Sequence, residues 1–205
     1  MRYDREHKAQ TRIRVLKEAA SVIRRDGVDR VGVAQVMAQA GLTHGGFYAH
    51  FASKDDLIAQ AIAFMFDDWH GVFFDRPEGS DPAATLSRYI DWYMSLAHRD
   101  TPDQGCPMPM LAGQAPRLPE AALDRFVVAT DRVVDAVEAL LTRMEHPTPA
   151  VTAAATVAAM VGGVAMARLQ RDGQKALDLL ETIRGSVRTS CGLPPRQRLV
   201  VTQSG

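Results

Sequence analysis

The chain has 205 residues, of which 46% are hydrophobic and 23% are charged. This balance is typical of a soluble globular protein and not of a disordered or membrane-embedded one. The length suffices for one or two domains, each with a sizeable core. The formal net charge is zero, so total charge alone gives no indication of a nucleic-acid partner.

The charge is unevenly distributed along the chain. Residues 1–54 hold ten Lys or Arg against five Asp or Glu, and residues 55–205 hold fourteen against nineteen. The first segment therefore carries net +5 and the remainder net −5. A basic segment favours a polyanionic partner, because Lys and Arg that neutralise phosphates supply most of the non-specific affinity for DNA. Chance clustering of charge on a solvated helix is the alternative, and charge alone does not decide between them.

Targeting, membrane and metal signals are weak. The first twenty residues lack the continuous apolar core of a secretory signal, so we expect a cytoplasmic protein with no membrane association. The most apolar stretch, residues 151–167, contains Thr152 and Thr156 and is shorter than the roughly 20 residues that span a bilayer. We therefore expect a buried helix there. Cys106 and Cys191 lack metal-ligand spacing, so we expect neither a disulfide framework nor a metal site, and no cofactor.

Helical periodicity dominates the first part of the chain. A first helix, ending at Gly27, carries an apolar stripe at spacings of three or four residues, formed by Ala9, Ile13, Leu16, Ala20 and Ile23. Short helices are predicted at residues 33–40 and from about His44. A longer helix follows Ser53, which pairs with Asp56 in a capping-box arrangement.

The rest of the chain is also predicted to be helical. Four helices are expected at residues 83–98, 120–144, 149–170 and 174–191, with loops at 74–82 and 101–119. The second loop excludes a long helix because it contains Pro102, Pro107, Pro109, Pro116 and Pro119. No run alternates polar and apolar residues long enough for a strand. The predicted fold class is all-α, with a flexible tail at residues 193–205.

Two short helices joined by Gly41-Leu42-Thr43 have the form of a helix-turn-helix, whose second helix enters the major groove of DNA. Gly41 suits the left-handed conformation that ends a helix, and the Thr43 hydroxyl suits the cap of the next one. Each feature is common by itself. Their order, after a basic amphipathic helix and before a capped helix, indicates a DNA-reading unit.

The segment VAQVMAQAGLTHGGFYAHFASKDDLIAQAI resembles the signature of the TetR family of bacterial transcriptional regulators. The matching positions are Ala40-Gly41-Leu42-Thr43, Gly46-Phe47-Tyr48, His50-Phe51, Ser53-Lys54 and Leu57. The resemblance is specific over about residues 8–64 and only architectural beyond. It implies a three-helix DNA-binding domain at residues 1–54 and an effector-binding and dimerisation domain at 55–192.

The resemblance also implies which residues meet DNA. Thr43, Tyr48 and Lys54 would hold phosphates, while His44 and Gly45 approach base edges. The pair Gly45-Gly46 would cost roughly 1 kcal/mol per glycine inside a helix. Close approach of the backbone to DNA explains the pair, and a position in the first helical turn explains it equally well.

Other residues of the motif have structural alternatives. His50 either reaches a phosphate or stabilises the helix end, and Phe47, Phe51 and Leu57 suit a core. At the start of the second helix the family usually has Thr or Ser, whereas this chain has Gly32 and Val33. The side-chain phosphate contact is therefore either lost there or replaced by one from a backbone amide. Two basic residues of the first helix, Lys8 and Arg12, are candidates to compensate; solvated charges are the alternative for both.

The larger segment is expected to bind a small effector and to form a homodimer through its last two long helices. The candidates for an apolar or aromatic pocket are Phe64, Trp69, Tyr89, Trp92, Tyr93, Met94, Met108, Met110 and Phe126. An ordinary core is the competing interpretation of these residues.

Cys106 lies in a segment, DQGCPMPM, that resembles the electrophile- or oxidant-responsive regulators of the family. A buried packing role is the alternative for this thiol. The expected function is a repressor that an apolar, aromatic or electrophilic effector releases from its operator. A thiol-dependent enzyme using Cys106 and a helical scaffold that never binds DNA are the two other classes; the enzyme lacks a recognisable base.

Overall fold

The computed structural model describes residues 2–75, 77 and 79–195, with side chains from residue 6 onward. The helices are α1 (Arg2–Asp26), α2 (Val33–Gln39), α3 (Lys54–Phe73), α4 (Pro82–Tyr93), α5 (Leu96–Asp100), α6 (Met108–Leu111), α7 (Glu120–Arg143), α8 (Pro149–Leu169) and α9 (Gly173–Ser190). Three 3₁₀ helices lie between them, at Val28–Arg30, His44–Ala49 and Ala112–Arg117. No strand occurs in the described part of the chain, so the all-α prediction is confirmed.

Helix α1 packs against α2 and α3. It ends before Gly27, as predicted, and this glycine has a positive φ of 87°. Leu16, Ala20 and Ile23 are buried as expected, with Val15 and Ala19 beside them. The first part of the predicted stripe is wrong: Ala9 and Ile13 are exposed. Ala9 lies before Thr11, which is the first buried residue among the described side chains of the helix. Ile13 is exposed although Thr11 and Val15 on either side of it are buried, so it lies on the open face of α1.

The turn after α2 adopts the expected geometry. Gly41 has a φ of 73°, and the Leu42 N–H donates to the Met37 carbonyl at 2.9 Å, which closes the helix end. The following element is a 3₁₀ helix, not the expected α-helix. The low helix propensity of two adjacent glycines accounts for this difference.

Helix α3 connects the first segment to the rest of the molecule. The Ser53 hydroxyl accepts from the Asp56 N–H at 3.1 Å, as predicted for a cap. The return bond differs from the prediction, because the Asp56 carboxylate accepts from the Ala52 N–H at 2.9 Å instead of from Ser53. Helix α3 then packs against both α1 and α7, so the boundary at residue 54 stays a prediction.

The remaining helices form a bundle around α7 and α8. The helix predicted at residues 83–98 is two helices, because the Ser95 hydroxyl caps α5 by accepting from the His98 N–H at 3.1 Å. The proline-rich loop contains only the four-residue α6 and a 3₁₀ helix. Helices α7, α8 and α9 begin and end within one residue of their predicted bounds.

Helix α8 corrects two expectations. It has 21 residues with a mean hydropathy of 1.8 over its most apolar part, so it is long and apolar enough to cross a membrane. Only 39% of the residues in that part are buried, because one face of the helix contacts α7 and α9 while the other is open.

The end of α9 is tied to α4 and to the residues that follow it. The buried Arg188 donates to the Ser87 hydroxyl at 2.7 Å, to Asp91 at 3.2 Å and to the Pro194 carbonyl at 2.9 Å. Leu193 is buried. The first two residues of the predicted flexible tail are thus packed, because Arg188 and the core hold them. Residues 196–205 lie outside the described residues.

Candidate nucleic-acid interface and body cavity

The helix-turn-helix presents an exposed surface over an aromatic base. Phe47 and Phe51 are buried, with ring centroids 5.6 Å apart, and Leu57 is fully buried near them. The Tyr48 ring packs edge-on against Phe47 at 5.1 Å, yet Tyr48 is 72% exposed. Most of the Tyr48 side chain is therefore accessible from outside the chain, while its ring is held by Phe47.

The other predicted DNA contacts lie around Tyr48. Thr43, His44, Gly45 and Lys54 are exposed, and Gly46 is partly buried. The Thr43 hydroxyl does not cap the 3₁₀ helix, contrary to expectation, because the first turn closes through the Thr43 carbonyl. Its hydroxyl therefore stays available to an external acceptor.

The glycine pair has no steric explanation within the described chain. A Cβ on Gly45 would meet nothing within 4 Å, and one on Gly46 would meet Met37 Cε at an ordinary 3.7 Å. Neither residue has a positive φ. Neither backbone conformation nor packing within the described chain requires glycine at these two positions.

Of the two candidate basic residues of α1, Arg12 contacts other side chains, and Lys8 is exposed. The Arg12 guanidinium lies 5.1 Å from the Phe51 ring centroid and donates to Gln60, so it holds α1 against Phe51 and α3. Burial lowers the pKa of His50, helped by the positive charges of Lys8 and Arg12, and His50 Nδ1 has no hydrogen-bond partner among the described residues. A capping bond through this nitrogen is therefore absent in the described chain.

A cavity of about 390 Å³ lies between α1, α3, α4 and the loop after α5. Its lining consists of Arg24, Asp68, Trp69, Val72, Phe73, Arg88, Trp92 and Gln104. The chain has two tryptophans, and both are in this lining. The volume falls in the range of small-molecule sites.

Most of the predicted pocket residues form the core instead. Trp69 and Trp92 line the cavity, but Tyr89, Tyr93, Met94, Met108 and Phe126 are buried outside its lining. Phe64 and Met110 are partly buried, also outside it. Tyr89 and Tyr93 pack edge-on against Trp69, at 5.2 and 5.9 Å between ring centroids, and so support the cavity from behind.

Arg24 is a cavity residue that sequence reasoning missed. It belongs to α1 but is only 8% exposed. Its Nη2 donates to the Met65 carbonyl at 3.2 Å and its Nη1 to the Asp103 carbonyl at 3.4 Å. Burial lowers the pKa of Arg24, while nearby Asp68 acts in the opposite direction. The signal was its position four residues after Ala20, which places a charge on the apolar face of α1.

The surroundings of Cys106 disfavour a reactive thiol. The residue is buried, and burial raises its pKa to about 11. His98 bonds to the Tyr93 carbonyl through Nδ1 at 2.8 Å and accepts from the Cys106 N–H through Nε2 at 3.0 Å. Burial lowers the pKa of His98 to about 4. Since both ring nitrogens are occupied by backbone groups, His98 cannot take a proton from the thiol.

Helices α8 and α9 share an exposed surface of small and apolar residues. On α8, Val151 is 72% exposed and Leu169 80% exposed; the exposed residues between them include Ala154, Ala155, Ala158, Ala159 and Met166, and Gly162 is partly buried. On α9 the exposed residues include Thr182, Gly185, Ser186 and Thr189. Small side chains allow the backbone of another helix to approach closely.

Comparisons with known proteins agree on one class. Residues 15–61 match the model of the bacterial regulatory proteins of the tetR family. YfiR of Bacillus subtilis (strain 168), an uncharacterized HTH-type transcriptional regulator, is 25% identical over 104 residues. That alignment covers 51% of this chain and 50% of YfiR, so the chain matches about half the length of this curated relative.

Solved structures share the fold over most of the chain. Reduced NemR of E. coli has a TM-score of 0.74 at 15% identity and covers 87% of this chain and 96% of its own. A TetR-family regulator from Agrobacterium tumefaciens has a TM-score of 0.73 at 20% identity, covering 86% and 97%. The helix-turn-helix geometry and the match of residues 15–61 make this part of the chain similar to the bacterial regulatory proteins of the tetR family, and the chain shares the fold of the two solved structures.

Proposed function

We propose that this protein is a transcriptional regulator that binds a DNA operator through residues 1–54 and responds to a small molecule through residues 55–192. The observation that supports DNA binding most directly is Tyr48, which is 72% exposed on a buried aromatic base within the segment that matches the family. The regulators of this family are not enzymes, and Cys106 lacks the base that a thiol-dependent enzyme needs.

The proposed DNA contacts have distinct tasks. Tyr48, Lys54 and Thr43 donate to phosphates and fix the register of the protein on the duplex, without carrying sequence information themselves. His44 and Gly45 face base edges in the major groove. The absence of side chains at Gly45 and Gly46 allows the backbone to approach the DNA closely, which accounts for two glycines that packing within the described chain does not require.

The double change Tyr48→Ala, Lys54→Ala tests these contacts. We expect about tenfold or greater loss of affinity on every duplex, and a salt dependence reduced by about one phosphate contact, because Lys54 no longer neutralises a phosphate. Fluorescence anisotropy with duplexes from the protein's own upstream region, titrated across salt, measures both. The control is Lys175→Ala, an exposed lysine on α9. Unchanged binding by a folded double variant would contradict the assignments, and no specific binding by the wild type would favour the scaffold alternative.

We propose a homodimer through the exposed surface of α8 and α9. A two-fold protein fits the two half-sites of a palindromic operator, and the small residues of α8 suit close helix packing against a second copy.

The proposed mode of action is repression in the cytoplasm, relieved when an effector enters the cavity. The aromatic lining formed by Trp69, Phe73 and Trp92 suits an aromatic ligand. A reversible ligand fits better than an electrophile, because the Cys106 thiol is buried and its pKa is raised to about 11. We therefore assign Cys106 to packing.

A further inference from the structure

We propose that Arg24 is the ligand-binding residue of the cavity, that the ligand is a small aromatic carboxylate, and that its capture by Arg24 is transmitted to the DNA-reading domain. The regulatory half of this inference rests on the proposed function. The binding half does not, since it concerns only the cavity and its lining.

The chemistry of the ligand follows from two hydrogen-bond donors without acceptors. Arg24 Nε and Trp69 Nε1 are buried and have no partner among the described residues. Both side chains line the cavity, and Trp69 is 4% exposed. Arginine and tryptophan side chains donate hydrogen bonds and do not accept them. A ligand that satisfies both must therefore bring acceptor oxygens.

The charge of Arg24 makes that acceptor an anion. Within the described chain no carboxylate lies within 4.0 Å of its guanidinium, and its two bonds go to neutral backbone carbonyls. A buried charge without an ion pair is unfavourable, and a carboxylate matches the guanidinium fork. Arg88 adds a second positive charge to the lining against the single Asp68, so the lining favours a monoanion over a cation.

The apolar part of the cavity selects an aromatic ring. Trp69, Phe73 and Trp92 lie with ring centroids 5.0–6.0 Å apart and tilted planes, a geometry that accepts a further ring edge-on or offset. With a volume of about 390 Å³, the cavity suits one or two rings bearing a short acidic chain.

Arg24 also connects the cavity to the DNA-reading domain. It lies two residues before the end of α1 and holds α3 through the Met65 carbonyl and the loop after α5 through the Asp103 carbonyl. A ligand carboxylate competes with these two carbonyls for the same guanidinium. The end of α1 has a second attachment, where the Val28 N–H donates to Gln114 Oε1 at 3.2 Å. Shifting Arg24 therefore moves α1 against α3, which gives the ligand different contacts in the two arrangements.

Calorimetry with benzoate, 3-phenylpropanoate and 2-naphthoate, each against its neutral amide, tests the binding half without DNA. We expect at least one carboxylate to bind about tenfold or more tightly than its amide, because an ion pair replaces a neutral contact. Arg24→Gln should abolish that preference, because it removes the positive charge that pairs with the carboxylate. Arg25→Gln is the matched control, since Arg25 has a side chain 50% exposed and paired with Asp26, and it should bind like the wild type.

The intrinsic fluorescence of Trp69 and Trp92 provides a second readout for the two phenyl ligands. Trp69→Phe keeps an aromatic ring but removes the Nε1 donor, and it should weaken carboxylate binding several-fold. This variant decides the question if circular dichroism shows that Arg24→Gln is unfolded. The proposal is overturned if no carboxylate is preferred over its amide, if folded Arg24→Gln retains the preference, or if Trp69→Phe binds carboxylate with unchanged affinity.

The regulatory half is tested on the operator duplex. The preferred carboxylate should release the wild type and Arg25→Gln. Arg24→Gln, which lacks both carbonyl contacts, should bind DNA more weakly than the wild type, and its DNA affinity should not respond to the carboxylate. Release that persists in Arg24→Gln, or binding of the carboxylate without release of the wild type, overturns the coupling. If the protein binds no duplex, the proposed function fails, and the calorimetric result still decides what the cavity binds.

Discussion

At the scale of single residues, backbone contacts decide the chemistry of two side chains that look reactive. His98 and Cys106 are eight positions apart, and the backbone N–H of Cys106 donates a hydrogen bond to the ring nitrogen Nε2 of His98. The same bond occupies the nitrogen that a thiol would need as a base. A Cβ on Gly105 would lie 2.5 Å from the His98 ring, so the glycine before Cys106 is required for this packing. The segment around Cys106 is thus built for packing.

The Cys106 thiol should react slowly with N-ethylmaleimide. Its pKa of about 11 leaves a thiolate fraction on the order of 10⁻⁴ at neutral pH, rising about tenfold per pH unit. Mass spectrometry of a Cys191→Ser variant, which leaves Cys106 as the single cysteine, measures the rate, and the unfolded protein in guanidinium is the control. A rate that levels off near pH 8 would contradict this environment. Cys106→Ser should leave any response to the reversible effector unchanged, and loss of a response to quinones would support the sensor hypothesis.

His98 should make the protein less stable in mild acid. Its pKa is lowered from 6.5 to about 4, so between these values the unfolded chain binds a proton that the folded chain does not. The free energy of unfolding therefore falls as pH falls below about 6.5, by about 2 kcal/mol at about pH 5. Urea unfolding at about pH 7.5 and pH 5, at one protein concentration, measures the loss. His98→Gln should lose about 2 kcal/mol less between the two pH values, and an equal loss would contradict the prediction.

At the scale of single elements, the segment His44–Ala49 forms a 3₁₀ helix instead of a longer regular helix, and most of its residues are exposed. Two glycines weaken it, and Phe47 holds it in place from below. Helix α8 shows the converse, because a regular and strongly apolar helix leaves one face open. Gly45 and Gly46 in the 3₁₀ helix and the open face of α8 are not needed for packing within the described chain. The two glycines are proposed to contact DNA, and the open face of α8 is proposed to contact a second copy of the protein.

Gly45→Ala should separate stability from DNA binding. The protein should become no less stable, with a gain of up to about 1 kcal/mol from the less flexible unfolded chain, because a Cβ there meets nothing within 4 Å. DNA binding should weaken, since the methyl group keeps the backbone away from the duplex. Thermal unfolding and anisotropy measure the two effects. Gly41→Ala is the comparison and should lose about 1–2 kcal/mol, because its φ is 73°. Full DNA affinity in Gly45→Ala would contradict the proposed contact.

At the scale of the whole molecule, the net positive charge lies in residues 1–54 and the net negative charge in residues 55–205. The basic first segment suits DNA, while the acidic remainder is repelled by it. The open surface of α8 and α9 lies on that acidic remainder. A dimer formed there would present two basic segments to one duplex.

Ala158→Arg on the open face of α8 should convert the dimer to a monomer, because a charge would be buried in an apolar contact between copies. Ala158 is exposed, so the helical content by circular dichroism should not change. Sedimentation velocity at micromolar concentration measures the mass, and DNA affinity should fall with the loss of two-site binding. Val128→Arg, which changes an exposed apolar residue on α7, is the control. A monomeric wild type would refute the dimer.

The sequence by itself determined the features that depend on neighbours in the chain. Gly27, Gly41 and Ser53 act within about four residues of themselves, so their spacing is enough to predict the helix ends and the helix-turn-helix. The tertiary structure decided what depends on distant residues: that Arg24 meets the Met65 and Asp103 carbonyls, that most predicted pocket residues form the core, and that α8 is open on one side. Periodicity indicates which face of a helix is apolar, but it does not indicate which distant element covers that face or where a space is left.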